Sequence, residues 1–196
     1  MKLKFVPTSI VLTLCILMFG VAASYATPIT YNVNRTIGIG SVTGFIETDG
    51  TLGGLTSANI VDWSLLLDDG VSTFSLFGPL SGNNSVVFSQ GADITANSTQ
   101  LLFDFSGLDN GIFLFQQGLF SGMHYYCAAS QSGTCFQGES VVPQSVFTSF
   151  QNVPRSGNLV IGTAGTAVPE PGTYGLLAGA GLLVVSLRRQ LVRKSA

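Results

Sequence analysis

The chain has 196 residues, enough for one domain with a signal at each end. Charged residues make up 9% of it, against about 25% in a typical soluble domain. Basic residues concentrate at the two ends. Residues 27–167 hold two of them, Arg35 and Arg155, against nine acidic residues, a net charge of −7. An acidic body repels phosphate groups, which argues against nucleic-acid binding.

The first 26 residues have the three parts of a secretory signal. Lys2 and Lys4 make a positive start, residues 10–21 form an apolar core, and Ser24 and Ala26 supply small residues. We therefore predict that residues 1–26 are a signal peptide, helical in its apolar part and cleaved after Ala26. An uncleaved anchor helix is the alternative interpretation.

The body, residues 27–161, has the period-two alternation of β-strands. A first alternating segment starts at Ile29 and changes phase at Gly38-Ile39-Gly40, which predicts a bulge or a tight bend. Asp69-Gly70 and Asp109-Asn110-Gly111 predict hairpin turns. Further strands are predicted at residues 60–68, 73–77, 85–90, 93–97, 99–106, 112–117, 139–142, 145–150 and 158–161.

Short strands separated by turn signals at intervals of about 8–12 residues indicate an all-β fold. The predicted architecture is an antiparallel β-sandwich or a jelly-roll-like domain. Residues 118–138 lack alternation and are predicted to be irregular. They contain Cys127 and Cys135, whose proximity in an exported chain predicts a disulfide, with two free thiols as the alternative.

The body offers little recognisable chemistry. His124 is the chain's one histidine, and no Gly-x-Ser-x-Gly segment accompanies it. No loop around Asp68-Asp69 has the spacing of a calcium site. We therefore assign no catalytic, cofactor-binding or metal-binding residue and predict that the protein is not an enzyme. Tyr125 and Tyr126, beside the predicted disulfide, are candidates for stacking on sugar rings.

The C-terminus has four parts. Residues 162–168 are small and predict a flexible linker. The prolines of residues 169–171 stiffen the chain, and residues 173–187 then form an uncharged apolar segment. As a helix this segment is about 22 Å long, short for a hydrocarbon core of about 30 Å. A basic stop follows, made of Arg188, Arg189, Arg193 and Lys194.

Together these features resemble the PEP-CTERM protein-sorting signal. The resemblance covers roughly the last 30 residues, with the sorting tail at residues 169–194, and rests on the short glycine-bearing transmembrane helix, the basic stop and the motif Val168, Pro169, Glu170 and Pro171. It implies a Gram-negative bacterium and processing by exosortase, a membrane enzyme. It also implies at least transient membrane anchoring through the helix, followed by delivery to the cell surface or extracellular matrix. A plain single-pass anchor is the alternative for the helix.

Bodies attached to such tails are diverse, so the tail predicts a destination and leaves the activity open. We expect an exported surface or biofilm-matrix protein with a structural or adhesive role, associated with exopolysaccharide. The alternative is a secreted or surface-attached hydrolase acting on polysaccharide or peptide. The single histidine and the lack of nucleophile motifs favour the first.

Overall fold

The computed structural model describes residues 26–117, 124–144 and 150–165. These residues form thirteen β-strands and a single 3₁₀ turn at Ser57–Asn59. All strand pairs are antiparallel, which confirms the predicted all-β class. The predicted signal helix and transmembrane helix lie outside the described residues.

The strands belong to two sheets. The large sheet has eight strands, in the spatial order β3 (Gly53–Gly54), β7 (Ile94–Ala96), β8 (Gln100–Asp104), β13 (Asn158–Ala164), β1 (Ile29–Ile37), β2 (Gly40–Thr48), β4 (Ile60–Asp68) and β5 (Thr73–Phe77). The small sheet has five strands, in the order β12 (Gln151–Val153), β11 (Gly138–Val142), β10 (Tyr125–Ala129), β9 (Ile112–Gln116) and β6 (Val86–Gln90).

The two sheets pack face to face around one hydrophobic core. The large sheet contributes the inward side chains of its alternating strands, and the small sheet contributes Phe113, Phe115, Tyr126, Ala128 and Val141. The ring of Trp63 on β4 meets that of Phe115 edge to face at 5.4 Å. This sandwich-like arrangement places the core where the period-two pattern predicted an apolar face.

The turn chemistry explains several strand ends. Gly38 and Ile39 form a two-residue turn between β1 and β2, so the phase change marks a tight bend. Gly38 has a φ of 63°, a conformation that glycine adopts without strain. The hairpin between β4 and β5 is also confirmed. The carboxylate of Asp69 accepts hydrogen bonds from the backbone N–H groups of Val71 and Ser72.

The prediction was wrong in the middle of the small sheet. Tyr125–Ala129, expected to be irregular, form β10, which pairs with both β9 and β11. All five residues are buried, so no inside–outside alternation marks the strand. The strand expected at residues 145–150 also differs: Phe150 is outside any strand and β12 starts at Gln151, while residues 145–149 lie outside the described part.

The predicted linker starts too early. Residues 162–164 belong to β13, after a register shift between Val160 and Gly162. Their small side chains bury little, but strand pairing uses backbone groups, and Gly162 lets the chain lie close to Tyr31 on β1. Among the described residues, no helix has the length and apolar character needed to cross a membrane.

Candidate functional site

The body's two basic side chains converge on one buried carboxylate. Glu139 on β11 is completely buried. The Arg35 guanidinium donates to both of its oxygens, at 2.8 Å from Nε and 2.6 Å from Nη2. Arg155 Nε donates to Oε2 at 2.8 Å, and the Tyr126 hydroxyl donates to Oε1 at 2.9 Å. We call these four residues the Glu139 cluster.

The Glu139 cluster joins the two sheets. Glu139 and Tyr126 lie on neighbouring strands of the small sheet, with their side chains directed at the large sheet. Arg35 is on β1 of the large sheet, and its Nη1 donates to the carbonyl of Val160 on β13. Arg155, which follows β12, reaches across to the carbonyl of Thr36. Each guanidinium therefore bonds both a buried carboxylate and the backbone of the large sheet.

The electrostatics of the cluster keep Arg35 charged and Tyr126 neutral. Hydrogen bonding to Glu139 raises the pKa of Arg35, so this guanidinium stays protonated. Burial, and next the negative charge of Glu139, raise the pKa of Tyr126 well above its ordinary value of 10.0. The phenol therefore remains neutral and serves as a donor. With every oxygen of Glu139 bonded, the arrangement is suited to holding the sheets together.

Sequence reasoning missed this cluster although a signal was present. Glu139 is a lone acidic residue in an apolar strand, and the body has two basic residues, Arg35 and Arg155. A carboxylate buried in a strand needs positive or hydrogen-bonding partners, and few were available. The pairing could have been proposed by elimination, whereas the contribution of Tyr126 required the strand register.

The predicted sugar-stacking role fails for Tyr126. This ring is 0% exposed and packs in the core near Phe115, so neither face is open to a sugar. Tyr125 is 8% exposed and belongs to a second buried cluster on the outer face of the small sheet. Adjacent tyrosines on a strand point to opposite faces, and here both faces of the sheet are covered.

The predicted disulfide between Cys127 and Cys135 is present. It ties the segment that follows β10 onto the outer face of the small sheet, where both sulfurs belong to the outer buried cluster. Next to it lies an aromatic pair that the sequence did not single out. Phe136 and Phe150 stack with ring centroids 5.2 Å apart, and they are 46% and 37% exposed. This pair is the half-exposed aromatic surface beside the disulfide.

His124 is a packed residue. Its ring stacks on Phe74 with centroids 3.7 Å apart, and its Nδ1 lies 2.6 Å from the carbonyl oxygen of Pro143. Asp68 and Asp69 hold the β4–β5 turn through backbone contacts. In the described ranges, no group of three or more His, Cys, Asp or Glu side chains is arranged to hold a metal ion.

The N-terminal and C-terminal ends of the body lie next to each other in the large sheet. β1 and β13 are antiparallel neighbours, with Tyr31 opposite Ala164, and the N–H of Gly165 donates to the carbonyl of Thr30 at 3.1 Å. The predicted cleavage residue Ala26 is exposed, three residues before β1. The sorting motif, Val168 to Pro171, and the basic stop, residues 188–194, lie outside the described residues.

Comparison with known proteins gives one finding. The family model described as the PEP-CTERM protein-sorting motif matches residues 167–190. That match covers the Pro-Glu-Pro segment, the short apolar stretch and the first two arginines of the basic stop. No curated protein and no solved structure proved similar to the chain.

Proposed function

Because the chain carries a PEP-CTERM protein-sorting motif, we propose that it is exported across the inner membrane of a Gram-negative bacterium, handled by exosortase and delivered to the cell surface or biofilm matrix. The motif at residues 167–190 is the observation that carries this proposal. The Cys127–Cys135 disulfide agrees with export, since disulfides persist in oxidising compartments.

For the body we propose a structural or adhesive role in association with exopolysaccharide. The charge of the body's surface limits which class of polysaccharide it can bind. Arg35 and Arg155 are both engaged by Glu139, and the rest of the body contributes acidic groups. Repulsion of anionic chains then favours a neutral or amino-bearing polysaccharide.

The aromatic pair Phe136 and Phe150 supports a sugar contact. Aromatic rings present a flat face with a partly positive edge, and Phe136 and Phe150 stack on each other just before β11 and β12, half-exposed to a ligand. The nearby disulfide fixes the segment that carries Phe136. We therefore assign the proposed sugar contact to Phe136 and Phe150 instead of Tyr125 and Tyr126.

A surface hydrolase acting on polysaccharide or peptide is the competing proposal. General acid–base catalysis by His124 needs a ring nitrogen available to a substrate. Its contacts with Phe74 and the Pro143 carbonyl support a packing role instead. A carboxylate-based hydrolase would use other residues, so activity must be assayed directly.

The destination is tested by the mass of the chain in cells with and without exosortase. We expect loss of the segment that follows the sorting motif in wild-type cells and an intact tail in cells lacking the enzyme. A Pro169→Ala/Pro171→Ala variant should behave as the uncut form in both strains. An intact tail in wild-type cells would show that exosortase does not cut the chain and that the tail is a plain membrane anchor.

The body's role is tested by binding to neutral, amino-bearing and anionic polysaccharides, beside a hydrolysis assay on the same samples. We expect binding without turnover, and weakened binding in Phe136→Ala. Leu66→Ala is the matched control, since Leu66 is 44% exposed on the large sheet. Turnover without stable binding would favour the hydrolase.

A further inference from the structure

Three of the four outer strands of the two sheets have a feature that blocks further pairing. β3 is two glycines long, and β12 is three residues long and followed by Pro154. β5 is covered by a side chain: the amide of Asn84 accepts from the N–H of Phe77 and donates to the carbonyl of Ser75. Such features commonly protect sheet edges against association.

The fourth outer strand, β6, has no such protection. It is five residues long, Val86-Val87-Phe88-Ser89-Gln90, without proline, glycine or charge. Every second residue of an outer strand directs its N–H and C=O away from the sheet. Within the described part of the chain, no backbone group of β6 bonds anything beyond its partner β9.

β6 is also held in place and apolar. Ser85, just before it, accepts a hydrogen bond from the Trp63 indole, and the Ser89 hydroxyl accepts one from the N–H of Ser57. Val87 packs against the core, while Val86 and Phe88 point outward and are 42% and 43% exposed. Opposite Phe88 on β9 is Leu114, a member of the outer buried cluster.

We propose that β6 pairs antiparallel with β6 of a second copy of this chain, which joins two small sheets into one continuous sheet. A two-fold axis then lies at the strand centre, with Phe88 of one copy opposite Phe88 of the other. Their rings extend the outer apolar cluster across the junction, and aromatic cross-strand pairs of this kind are stabilising.

Charge favours a second copy as the occupant. Although the body carries a net charge of −7, residues 70–92 contain no charged side chain. Two copies can therefore approach along β6 without like charges at the contact. A contact of five residues a side is smaller than a standard interface of about 1,200–2,000 Å², so we expect a weak dimer that matters where the protein is concentrated on a surface.

The proposal goes beyond sorting and polysaccharide binding and is tested separately from them. Full-length protein in a mild non-ionic detergent is examined by sedimentation over a range of concentrations. We expect a monomer–dimer equilibrium, weakened about tenfold in Phe88→Lys, because two lysines then face each other across the axis. Val71→Lys, the same charge change at an exposed turn residue, should associate as the wild type does.

If the protein associated through its C-terminal segment instead, the wild type, Phe88→Lys and Val71→Lys would all associate equally. A wild type that stays monomeric, or equal association of the two lysine variants, would overturn the proposal. If components of the culture medium slowed hydrogen exchange of the β6 amides while no dimer formed, β6 would bind another partner. That outcome would also overturn the proposal.

A cysteine variant keeps the test decisive if Phe88→Lys fails to fold. Under mild oxidation Phe88→Cys should form a disulfide-linked dimer, since the two residues are opposite each other. Leu108→Cys, at a more exposed position, should link far more slowly. Equal rates for the two cysteine variants would contradict the proposed axis.

Discussion

The two sheets differ in how many of their faces are buried. β1 and β2 of the large sheet alternate between buried and more exposed residues, as expected when one face packs and the other meets solvent. β10 and β11 of the small sheet are buried at every residue. The middle of the small sheet is thus an inner layer, between the core and a disulfide-linked outer cluster, and the strands of this sheet contain one charged residue, Glu139.

The largest effect is expected from Glu139→Gln. The substitution leaves two guanidinium groups without their shared counter-charge, and breaking a buried ion pair typically costs about 3–5 kcal/mol. Since the Arg35 and Arg155 side chains are 19% and 25% exposed, we expect about 3 kcal/mol. Urea unfolding of the variant and the wild type measures the difference in free energy of unfolding.

The matched control is Glu47→Gln on β2 of the large sheet. Glu47 is half-buried, and its side chain makes no hydrogen bond or ion pair within the described residues. We expect it to change the free energy of unfolding by less than about 0.5 kcal/mol. If both variants lost the same amount, the Glu139 cluster would not be what joins the sheets.

The next largest loss of stability is expected from removing the disulfide that ties the outer cluster to the small sheet. Cys127→Ala/Cys135→Ala removes a cross-link over eight residues of sequence separation, which the chain-entropy account values at about 2–3 kcal/mol. Reduction of the wild type should cost a similar amount. Hydrogen exchange should quicken first in β10, which carries Cys127, and last in β1 and β2. A uniform increase across both sheets would contradict a separate outer layer.

Tyr126→Phe should cost about 1.5 kcal/mol at neutral pH, the low end for a hydrogen bond to a charged acceptor, because two guanidinium groups still bond Glu139. The cost should shrink above about pH 10. The pKa of Tyr126 is raised in the folded state, so the unfolded chain ionises first and wild-type stability falls as pH rises.

Comparison with Tyr126→Phe isolates this effect, since the other tyrosines titrate alike in both proteins. Parallel curves of unfolding free energy against pH for wild type and variant would show that Tyr126 has an ordinary pKa.

The smallest change in stability is expected from Asn84→Ala, about 1 kcal/mol for its hydrogen bonds to Phe77 and Ser75. Its informative effect is on association. Without the Asn84 amide, β5 becomes a second edge strand open to pairing. Self-association should therefore be stronger than in the wild type, which can associate through β6 alone. Sedimentation of Asn84→Ala beside Phe88→Lys/Asn84→Ala separates the two edges. No increase in either protein would mean that Asn84 does not protect β5.

The sequence predicted the large sheet better than the small one, for a physical reason. Strands with one solvated face alternate in composition, and the pattern predicts β4 and β5 at their observed bounds, residues 60–68 and 73–77. β10 is covered on both faces, so its run of apolar and small residues has no alternation and predicts an irregular segment instead of a strand. The disulfide was predictable because two cysteines lie close together in the body of an exported-looking chain.

The sequence by itself determined the all-β class, the acidic body and the sorting motif, because these depend on composition and short-range order. The tertiary structure decided which residues became a site. It buried Tyr126, brought Arg35 to Glu139 from 104 residues away, and left β6 as the unprotected edge. These depend on strand register and on which strands lie outermost, and both are fixed by contacts between segments distant in the chain.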